Sequence, residues 1–285
     1  MHAINREHQQ GGDYFGIPLT KAPHRIAPRD GLYDPAQVRA VFQTDEISLD
    51  PQQLACLVRE RIAAHPEIRV LTNTAVVDVA QTSLGVTLVF ERSGLQDFES
   101  YDHVINTAWA GRLALDARLG LVPSRPWLFR TKHFLRLRVD DAAGLPSTTI
   151  VLGPFGDIVN YRNGSVFLSW YPAGMRQMSS EIVPPPVPAS PELSADVRAG
   201  ILSALTSLIP AISKLGPEAL GNAEVQGGII FAWGDRDIDD PGSELHQRFD
   251  IGPQSWKRYH SIDTGKLTMA PFFAKQIADR IRASF

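Results

Sequence analysis

Two stretches of the sequence carry short runs of strand-forming residues in rapid succession, with turn residues between them. Strands joined by such short connections pair antiparallel, because a parallel connection needs a crossover of a dozen residues or more. The first stretch covers residues 68–107 and the second covers residues 132–171. Asn163-Gly164, in the second stretch, is a strong signal for a hairpin turn. The second stretch therefore predicts a large, mostly antiparallel sheet.

Helical patterns flank and interrupt these strands. Asp50 is a suitable N-cap and Pro51 fits the first turn of a helix that His65-Pro66 ends. A second helix is predicted to run to Leu119, and Gly120 caps it. Two more are predicted at about 193–209 and at Leu267–Phe285. The predicted strands are Ile68–Leu71, Ala75–Val79, Val86–Glu91, His103–Thr107, Lys132–Val139, Thr148–Leu152, Asp157–Tyr161, Ser165–Tyr171 and Glu224–Trp233.

The order of these elements predicts a mixed α/β fold of two interleaved units. Residues 31–125 and 225–285 form an α/β layer, in which His103–Thr107 is a continuous apolar run suited to a strand buried on both faces. Residues 126–224 form the antiparallel sheet domain, with a stiff Pro-rich loop at 184–192. Residues 1–30, rich in Gly and Pro, are predicted to be a flexible lead-in.

Composition excludes several classes of function. A net charge of −3 at 285 residues gives no basic surface for nucleic acid. The single cysteine, Cys56, excludes a disulfide framework, and the histidines lack metal-ligand spacing, so no metal is expected. No apolar run is long enough to span a bilayer. The first residues lack the apolar core of a secretory signal, so a cytoplasmic location is expected.

Five weak motifs follow one another in an order that resembles a known family. They are Phe42–Leu54, the paired strands around Val70–Val79, Tyr101–Ala108 with the helix to Leu121, Gly234-Asp-Arg236 with Phe249–Gly252, and Ser261–Pro271. In this order and spacing they resemble FAD-dependent oxidoreductases of the D-amino-acid oxidase and glycine oxidase type. The resemblance spans roughly residues 40–285.

Departures from that family are equally clear. The family's N-terminal strand, GxGxxG turn and helix are absent from this sequence, and those glycines let the backbone approach the FAD pyrophosphate. Trp109 stands where the family usually has glycine, and Asp237 replaces the usual proline. The α/β layer is therefore expected to be a partial, Rossmann-like FAD-binding domain. These departures from the family lead us to expect an incomplete reading frame, a shortened chain or a degenerate relative.

The resemblance implies FAD as cofactor and two segments that hold it. Thr107, Ala108 and Trp109 end a strand, where open α/β sheets bind their ligands. The second segment precedes the last helix, where a lysine or the helix dipole would stabilise negative charge on the flavin pyrimidine. It consists of Asp263, Thr264, Gly265, Lys266 and Leu267. The family also implies that Val76 and Val77 lie against the adenine, although both are equally suited to a strand core.

Three further residues are candidates for binding or reacting with a substrate. Arg236 could pair with a carboxylate, or form a surface ion pair with Asp239 or Asp240. His246 could transfer a proton or bind an anion. Tyr171 could form a wall of the substrate cavity, or simply pack in the core.

Two functions remain open. The first is an FAD-dependent oxidoreductase that transfers hydride to the flavin from a small amine, amino acid or sugar-like CH–NH or CH–OH donor. The second is a non-catalytic binding or interaction remnant of the same fold that does not hold FAD. A small-molecule substrate is the expected partner. The missing segment would leave an apolar patch exposed beside His103–Thr107, and we expect a homodimer or residues 1–30 as its cover if it is not left exposed.

Overall fold

A computed structural model describes residues 13–14, 17–18, 23–28, 31–44, 46–140, 142, 144–246 and 250–284. Most of the predicted lead-in, residues 1–30, lies outside the described residues, as does Phe249 of one motif. The chain divides into two compact units. The first contains residues 1–57, 134–174 and 190–226, and the second contains residues 58–133, 175–189 and 227–285.

Sixteen strands and six α-helices are formed by the described residues. The strands are β1 (Asp13–Tyr14), β2 (Ile17–Pro18), β3 (His24–Ile26), β4 (Val41–Gln43), β5 (Ala75–Gln81), β6 (Val86–Arg92), β7 (Leu95–Tyr101), β8 (Val104–Asn106), β9 (Trp127–Arg138), β10 (Thr148–Ile150), β11 (Gly156–Asn160), β12 (Ser165–Trp170), β13 (Met175–Ser179), β14 (Glu224–Trp233), β15 (Gly252–Trp256) and β16 (Tyr259–Asp263). The helices are α1 (Pro51–Ala63), α2 (Arg112–Arg118), α3 (Tyr171–Gly174), α4 (Pro191–Leu208), α5 (Pro217–Gly221) and α6 (Ala270–Arg282).

The first unit is built on an antiparallel sheet that helix α4 covers. Its strand order is β10-β11-β12-β9, to which β9 contributes its second half, and Asn163-Gly164 turns β11 into β12 as predicted. Ser190 caps α4 by accepting a hydrogen bond from the Leu193 backbone N–H at 3.1 Å. Below α4, a fully apolar cluster packs against the sheet. Its members include Leu135, Leu137, Ile158, Leu168, Val197, Ile201 and Leu205.

Helix α1 begins as predicted, but none of its apolar side chains is buried. Asp50 Oδ1 accepts a hydrogen bond from the Gln52 backbone N–H at 2.9 Å. The other carboxylate oxygen of Asp50 accepts from Arg136 Nη2 and Asn163 Nδ2. Burial would raise the pKa of Asp50, but these hydrogen bonds and the Arg136 charge lower it. No residue of α1 is buried, and Leu57 is 53% exposed.

The second unit holds two three-stranded sheets. Strands β5, β6 and β7 form an antiparallel meander, and β15, β16 and β8 form a sheet in which β16 pairs antiparallel with β15 and parallel with β8. The first half of β9 pairs with β13, and β14 also pairs with β9. Helix α6 buries Phe273 and Ile277 against Ile262 of β16. The protein is therefore a mixed α/β fold with mostly antiparallel sheets, as the sequence predicted.

Two strand predictions are corrected by the structure. Residues 68–71 form no strand, because Ile68 and Val70 are 47% and 57% exposed and pair with no neighbouring strand among the described residues. The run His103–Thr107 is a strand only at Val104–Asn106 and is not buried on both faces, since Ile105 is 42% exposed. In the described part of the chain β8 is an outer strand, which explains the exposure.

Candidate functional site

The parallel pairing of β8 and β16 brings the two predicted cofactor segments to one sheet edge. Asn106 lies opposite Ser261 in this pair, so both strands end within two residues of that position. Thr107–Trp109 leaves the carboxyl end of β8, and the segment from Asp263 to Leu267 leaves the carboxyl end of β16. Carboxyl ends of adjacent parallel strands are where open α/β sheets bind ligands. The candidate site is therefore this edge.

A buried polar cluster lies directly beneath that edge. We call it the Asp116 cluster, and it consists of Asn106, Arg112, Asp116, Tyr259 and Ser261. Asp116 Oδ1 accepts hydrogen bonds from Tyr259 Oη at 2.7 Å and from Asn106 Nδ2 at 3.0 Å. Asp116 Oδ2 accepts from Ser261 Oγ at 2.7 Å. A buried carboxylate costs little when donors satisfy its oxygens, so this network fixes α2 against both strands.

Tyr259 is a permanent donor within the Asp116 cluster. Its side chain is almost fully buried, and burial together with the hydrogen bond to Asp116 raises the pKa of Tyr259 far above its ordinary value. The phenol therefore stays neutral and keeps its proton for Asp116 at any working pH. Its oxygen also accepts a hydrogen bond from Asn106 Nδ2 at 2.8 Å.

Arg112 is the buried cation of the cluster and is 4% exposed. Its Nη1 lies 3.4 Å from Asp116 Oδ2 and 3.3 Å from Ser261 Oγ. The guanidinium carbon lies 4.9 Å from the ring centroid of Phe231 and 5.6 Å from that of Trp233. Burial lowers the pKa of Arg112, whereas Asp263 and Asp116 raise it. An arginine stays protonated in such surroundings, so a fixed positive charge lies beneath the site.

The turn after β16 is held by its own first residue. Asp263 Oδ1 accepts a hydrogen bond from the Gly265 backbone N–H at 2.8 Å, and Gly265 has a φ of +59°. Thr264 is half-buried, while Lys266 and Leu267 are exposed. Because the Gly265 N–H is engaged by Asp263, the positive field expected here comes from the N-terminus of the following helix and the Lys266 charge.

The turn after β8 contains a bulky residue in an unusual backbone conformation. Trp109 has a φ of +48°, and its indole Nε1 donates to the Ile229 carbonyl at 2.8 Å. Asn106 Oδ1 accepts a hydrogen bond from the Ala108 backbone N–H at 3.1 Å. A left-handed φ is disfavoured for a large side chain and persists only where surrounding contacts impose it. Trp109 is 37% exposed, so part of its ring is accessible at the site.

Val76 and Val77 lie in the neighbouring meander sheet, on β5. The pairing of β5 with β6 shifts between Val76 and Asp78, so Val77 occupies a β-bulge. Val76 is 37% exposed, whereas Val79, two residues beyond the bulge, is buried against Tyr259. Strand β5 also packs against α2. Contact with an adenine stays a prediction for these two valines.

Arg236 and His246 share one loop of the second unit. Arg236 Nη1 lies 3.5 Å from Asp240 Oδ2, and the Arg236 side chain is 60% exposed. His246 Nε2 lies 2.7 Å from the Ile238 carbonyl oxygen. The carbonyl of Arg236 accepts from the fully buried Arg130 at 2.7 Å, which fixes the backbone but leaves the Arg236 side chain at the surface.

Tyr171, the third candidate for contact with substrate, belongs to the first unit. It is 5% exposed and begins α3, and its backbone N–H donates to the Phe155 carbonyl at 2.7 Å. Packing in the core of that unit accounts for its burial.

The candidates predicted from the sequence do not include Asn106, Asp116, Tyr259 or Ser261. One signal was available, since Arg112 and Asp116 are four residues apart and so share a helix face. An Arg and an Asp with this spacing, shortly after a predicted buried strand, are candidates for a buried ion pair. Among the described residues, no three metal-binding side chains gather at one point, and no helix is long and apolar enough to cross a lipid bilayer.

Comparisons with known proteins give partial matches. No protein-family model matches the sequence, and no curated protein matches it at a significant level. The chain is similar to a Bacillus halodurans glycerol-3-phosphate dehydrogenase solved with FAD, at a TM-score of 0.49 and 14% identity over 75% of this chain and 39% of that one. It is similar to glycine oxidase from Geobacillus kaustophilus, at a TM-score of 0.47 and 15% identity over 72% and 47%.

A third solved structure gives a comparable match. An FAD-dependent oxidoreductase from Pseudomonas aeruginosa matches at a TM-score of 0.40 and 17% identity, over 73% of this chain and 51% of that one. The chain thus spans between 39% and 51% of the length of these three proteins. The matched regions correspond to part of their fold.

Proposed function

We propose that this chain supplies the flavin-ring and substrate side of an FAD-dependent oxidoreductase. The donor would be a small amine, amino acid or sugar-like compound with a CH–NH or CH–OH bond. One observation carries the proposal: the Asn106–Ser261 pairing joins two motif segments, far apart in sequence, at one edge of a parallel strand pair. The sequence resemblance assigns both of those segments to the flavin.

The residues present fit the flavin ring better than they fit the pyrophosphate. Beneath the edge lies the positive charge of Arg112, and beside it lies the N-terminus of α6. Both favour an electron-rich ring edge. The printed sequence holds no GxGxxG turn for a pyrophosphate. When bound, the flavin would accept the hydride, and this chain would position the donor carbon and exclude water around it.

Two residues of the second unit would act on the donor in this proposal. Arg236, exposed on its loop, would bind a donor carboxylate in exchange for its pair with Asp240. His246, on the same loop, would exchange a proton with the donor's amine or hydroxyl.

A comparison of FAD with riboflavin tests this proposal. Riboflavin carries the same ring without phosphates, so a chain with a ring site but no pyrophosphate cradle should bind both weakly and with similar affinity. Titration of each into the full chain, followed by flavin fluorescence, measures the two dissociation constants. FAD bound many times more tightly than riboflavin would show a pyrophosphate site that the proposal lacks.

The second candidate function is a non-catalytic remnant of the same fold, and exposed Ile105 on the outer strand β8 favours it. If neither FAD nor riboflavin binds, this function replaces the first. The exposed strand β8 also supports the proposal of a homodimer, because a second copy of the chain could cover that strand. Light scattering would support it by giving twice the chain mass, and a monomer at all concentrations would exclude it.

A further inference from the structure

Asp116 does not account for the position of Arg112. The Asp116 carboxylate already accepts three hydrogen bonds of 2.7 to 3.0 Å from Tyr259, Asn106 and Ser261. The Arg112 contact, at 3.4 Å, is longer than all of these. A buried cation that adds so little to its carboxylate partner has another reason to be there, because desolvation opposes its burial.

Three buried donors in this region lack an acceptor. Within the described residues, Arg112 Nη2, Trp233 Nε1 and Trp127 Nε1 have no hydrogen-bond partner. Trp127 packs on the cluster that contains Phe231 and Trp233, and the Arg112 guanidinium lies against the same two rings. Arg112 is 4% exposed and Trp233 is 7% exposed. Buried donors are normally satisfied, so three orphans around one aromatic cluster point to a ligand made of acceptors.

The charges near Arg112 indicate which kind of ligand group accepts its hydrogen bond. Arg112 is the cation, and Asp116 and Asp263 are the two carboxylates whose charges act on it. One positive and two negative charges leave the group negative before any ligand arrives. A second carboxylate from a ligand would add repulsion, whereas an uncharged carbonyl oxygen accepts the same hydrogen bond without it.

We propose that Arg112 Nη2 binds an uncharged carbonyl oxygen of a small-molecule ligand, with the indole N–H groups of Trp233 and Trp127, from the aromatic cluster that Arg112 contacts, as further donors. The identity of the carbonyl group rests on the proposed function, which offers two sources for it. The carbonyl belongs either to the pyrimidine part of the flavin ring or to an amide or ketone group of the donor. In both cases Arg112 touches the ligand directly, and its fixed charge stabilises electron density on that oxygen.

Two variants test the proposal on the full chain. Arg112→Lys keeps the charge beside Asp116 and Asp263 but loses the planar fork. Trp233→Phe keeps an aromatic ring and removes its N–H. The probes are riboflavin, lactamide as an uncharged amide, and lactate as its carboxylate counterpart. Riboflavin fluorescence and intrinsic tryptophan fluorescence measure binding, and far-UV circular dichroism confirms the fold. Arg69→Lys, an exposed arginine paired with Glu99, is the matched control.

If the flavin ring supplies the carbonyl, Arg112→Lys is expected to lower riboflavin affinity at least tenfold, whereas Arg69→Lys should leave it unchanged. If the donor supplies it, riboflavin affinity stays the same and lactamide affinity falls instead. Unchanged affinity for both probes in both variants would overturn the inference, and so would a larger loss of lactate affinity than of lactamide affinity in Arg112→Lys. A wild-type chain that binds no flavin would defeat the proposed function alone, since the lactamide measurement would still test Arg112.

Discussion

The largest buried cluster of the first unit is apolar, whereas the second unit buries a polar one. Under α4, Ile201 and Leu205 are 0% exposed and belong to the apolar cluster that packs against the sheet. At the carboxyl ends of β8 and β16, Asp116 and Arg112 are almost as buried as those two residues, but hydrogen bonds and charge stabilise them there. Burial of apolar surface is stabilising by itself, while buried polar groups need mutual satisfaction.

This difference indicates where specificity of binding lies. An apolar cluster tolerates substitutions of similar volume, and its effect is on stability. A polar cluster with one orphan donor is costly to keep unless it binds something. We therefore expect substitutions in the first unit to change stability alone, and those around Asp116 to change both stability and ligand binding.

The largest effect is expected from Asp116→Ala. The change leaves the Arg112 charge buried and removes the acceptor of Tyr259 and Ser261, which should lower the free energy of unfolding by about 3–5 kcal/mol. Urea denaturation measures it. Asp102→Ala, at an exposed carboxylate 3.8 Å from Arg258, is the control and should change stability by less than about 1 kcal/mol. Equal effects of the two changes would end the distinction between buried and exposed carboxylates.

Leu205→Ala should destabilise by about 2–5 kcal/mol, through lost burial and the cavity it leaves. Riboflavin affinity, measured below the unfolding transition, should not change. A loss of affinity without unfolding would mean that the apolar cluster also shapes the binding site, and the comparison of the two units would fail.

A smaller, pH-dependent effect is expected from His260, which is 4% exposed on β16. His260 Nε2 lies 3.0 Å from His103 Nδ1. Burial, followed by the charges of His103 and Arg280, lowers the pKa of His260. A lowered folded-state pKa gives stability that is present above the unfolded pKa of about 6.5 and is lost as pH falls below it.

Urea midpoints between about pH 5 and pH 8 should therefore fall below pH 6.5 in the wild type and fall less in His260→Gln. His65→Gln, at an exposed histidine, should show the same fall of the urea midpoint with pH as the wild type. A wild-type slope in His260→Gln would show that other groups carry the pH dependence.

Arg236→Ala should have the smallest effect on stability, below about 1 kcal/mol, because its pair with Asp240 is exposed. If Arg236 binds a donor carboxylate, KM for an anionic donor should rise by a factor equivalent to about 1.5–3 kcal/mol. Steady-state kinetics measure the effect on KM, and thermal melting measures the effect on stability. A lowered melting temperature with unchanged KM would assign Arg236 a structural part.

Regular patterns made much of the fold predictable. The N-cap Asp50 and the spacing of Val197, Ile201 and Leu205 predicted α1 and α4, because capping and helical periodicity are local. Strand β7 was missed because most of its residues are polar or exposed, and Phe98 is 72% exposed. The turn before it, Ser93-Gly94, has positive φ at both residues and could have revealed the hairpin.

Long-range pairing was beyond the sequence. The β15–β16 hairpin is not among the predicted strands, because Gly252 and Pro253 open it and Lys257, with a φ of +53°, turns it. The segments around Trp109 and Gly265 were found through resemblance to a family. The Asp116 cluster was not, since its members come from α2, β8 and β16 and only folding brings them together.

The central claim is that the turns after β8 and β16 form one cofactor site, and a pair of glycine substitutions tests it most directly. Gly265 (φ +59°) and Gly94 (φ +77°) both lie in the second unit, and a Val at either position strains the backbone similarly. Riboflavin titration of Gly265→Val and Gly94→Val, with circular dichroism to confirm folding, compares them. Loss of binding in Gly265→Val alone is the predicted result. Equal riboflavin affinity in the two folded variants would contradict the claim.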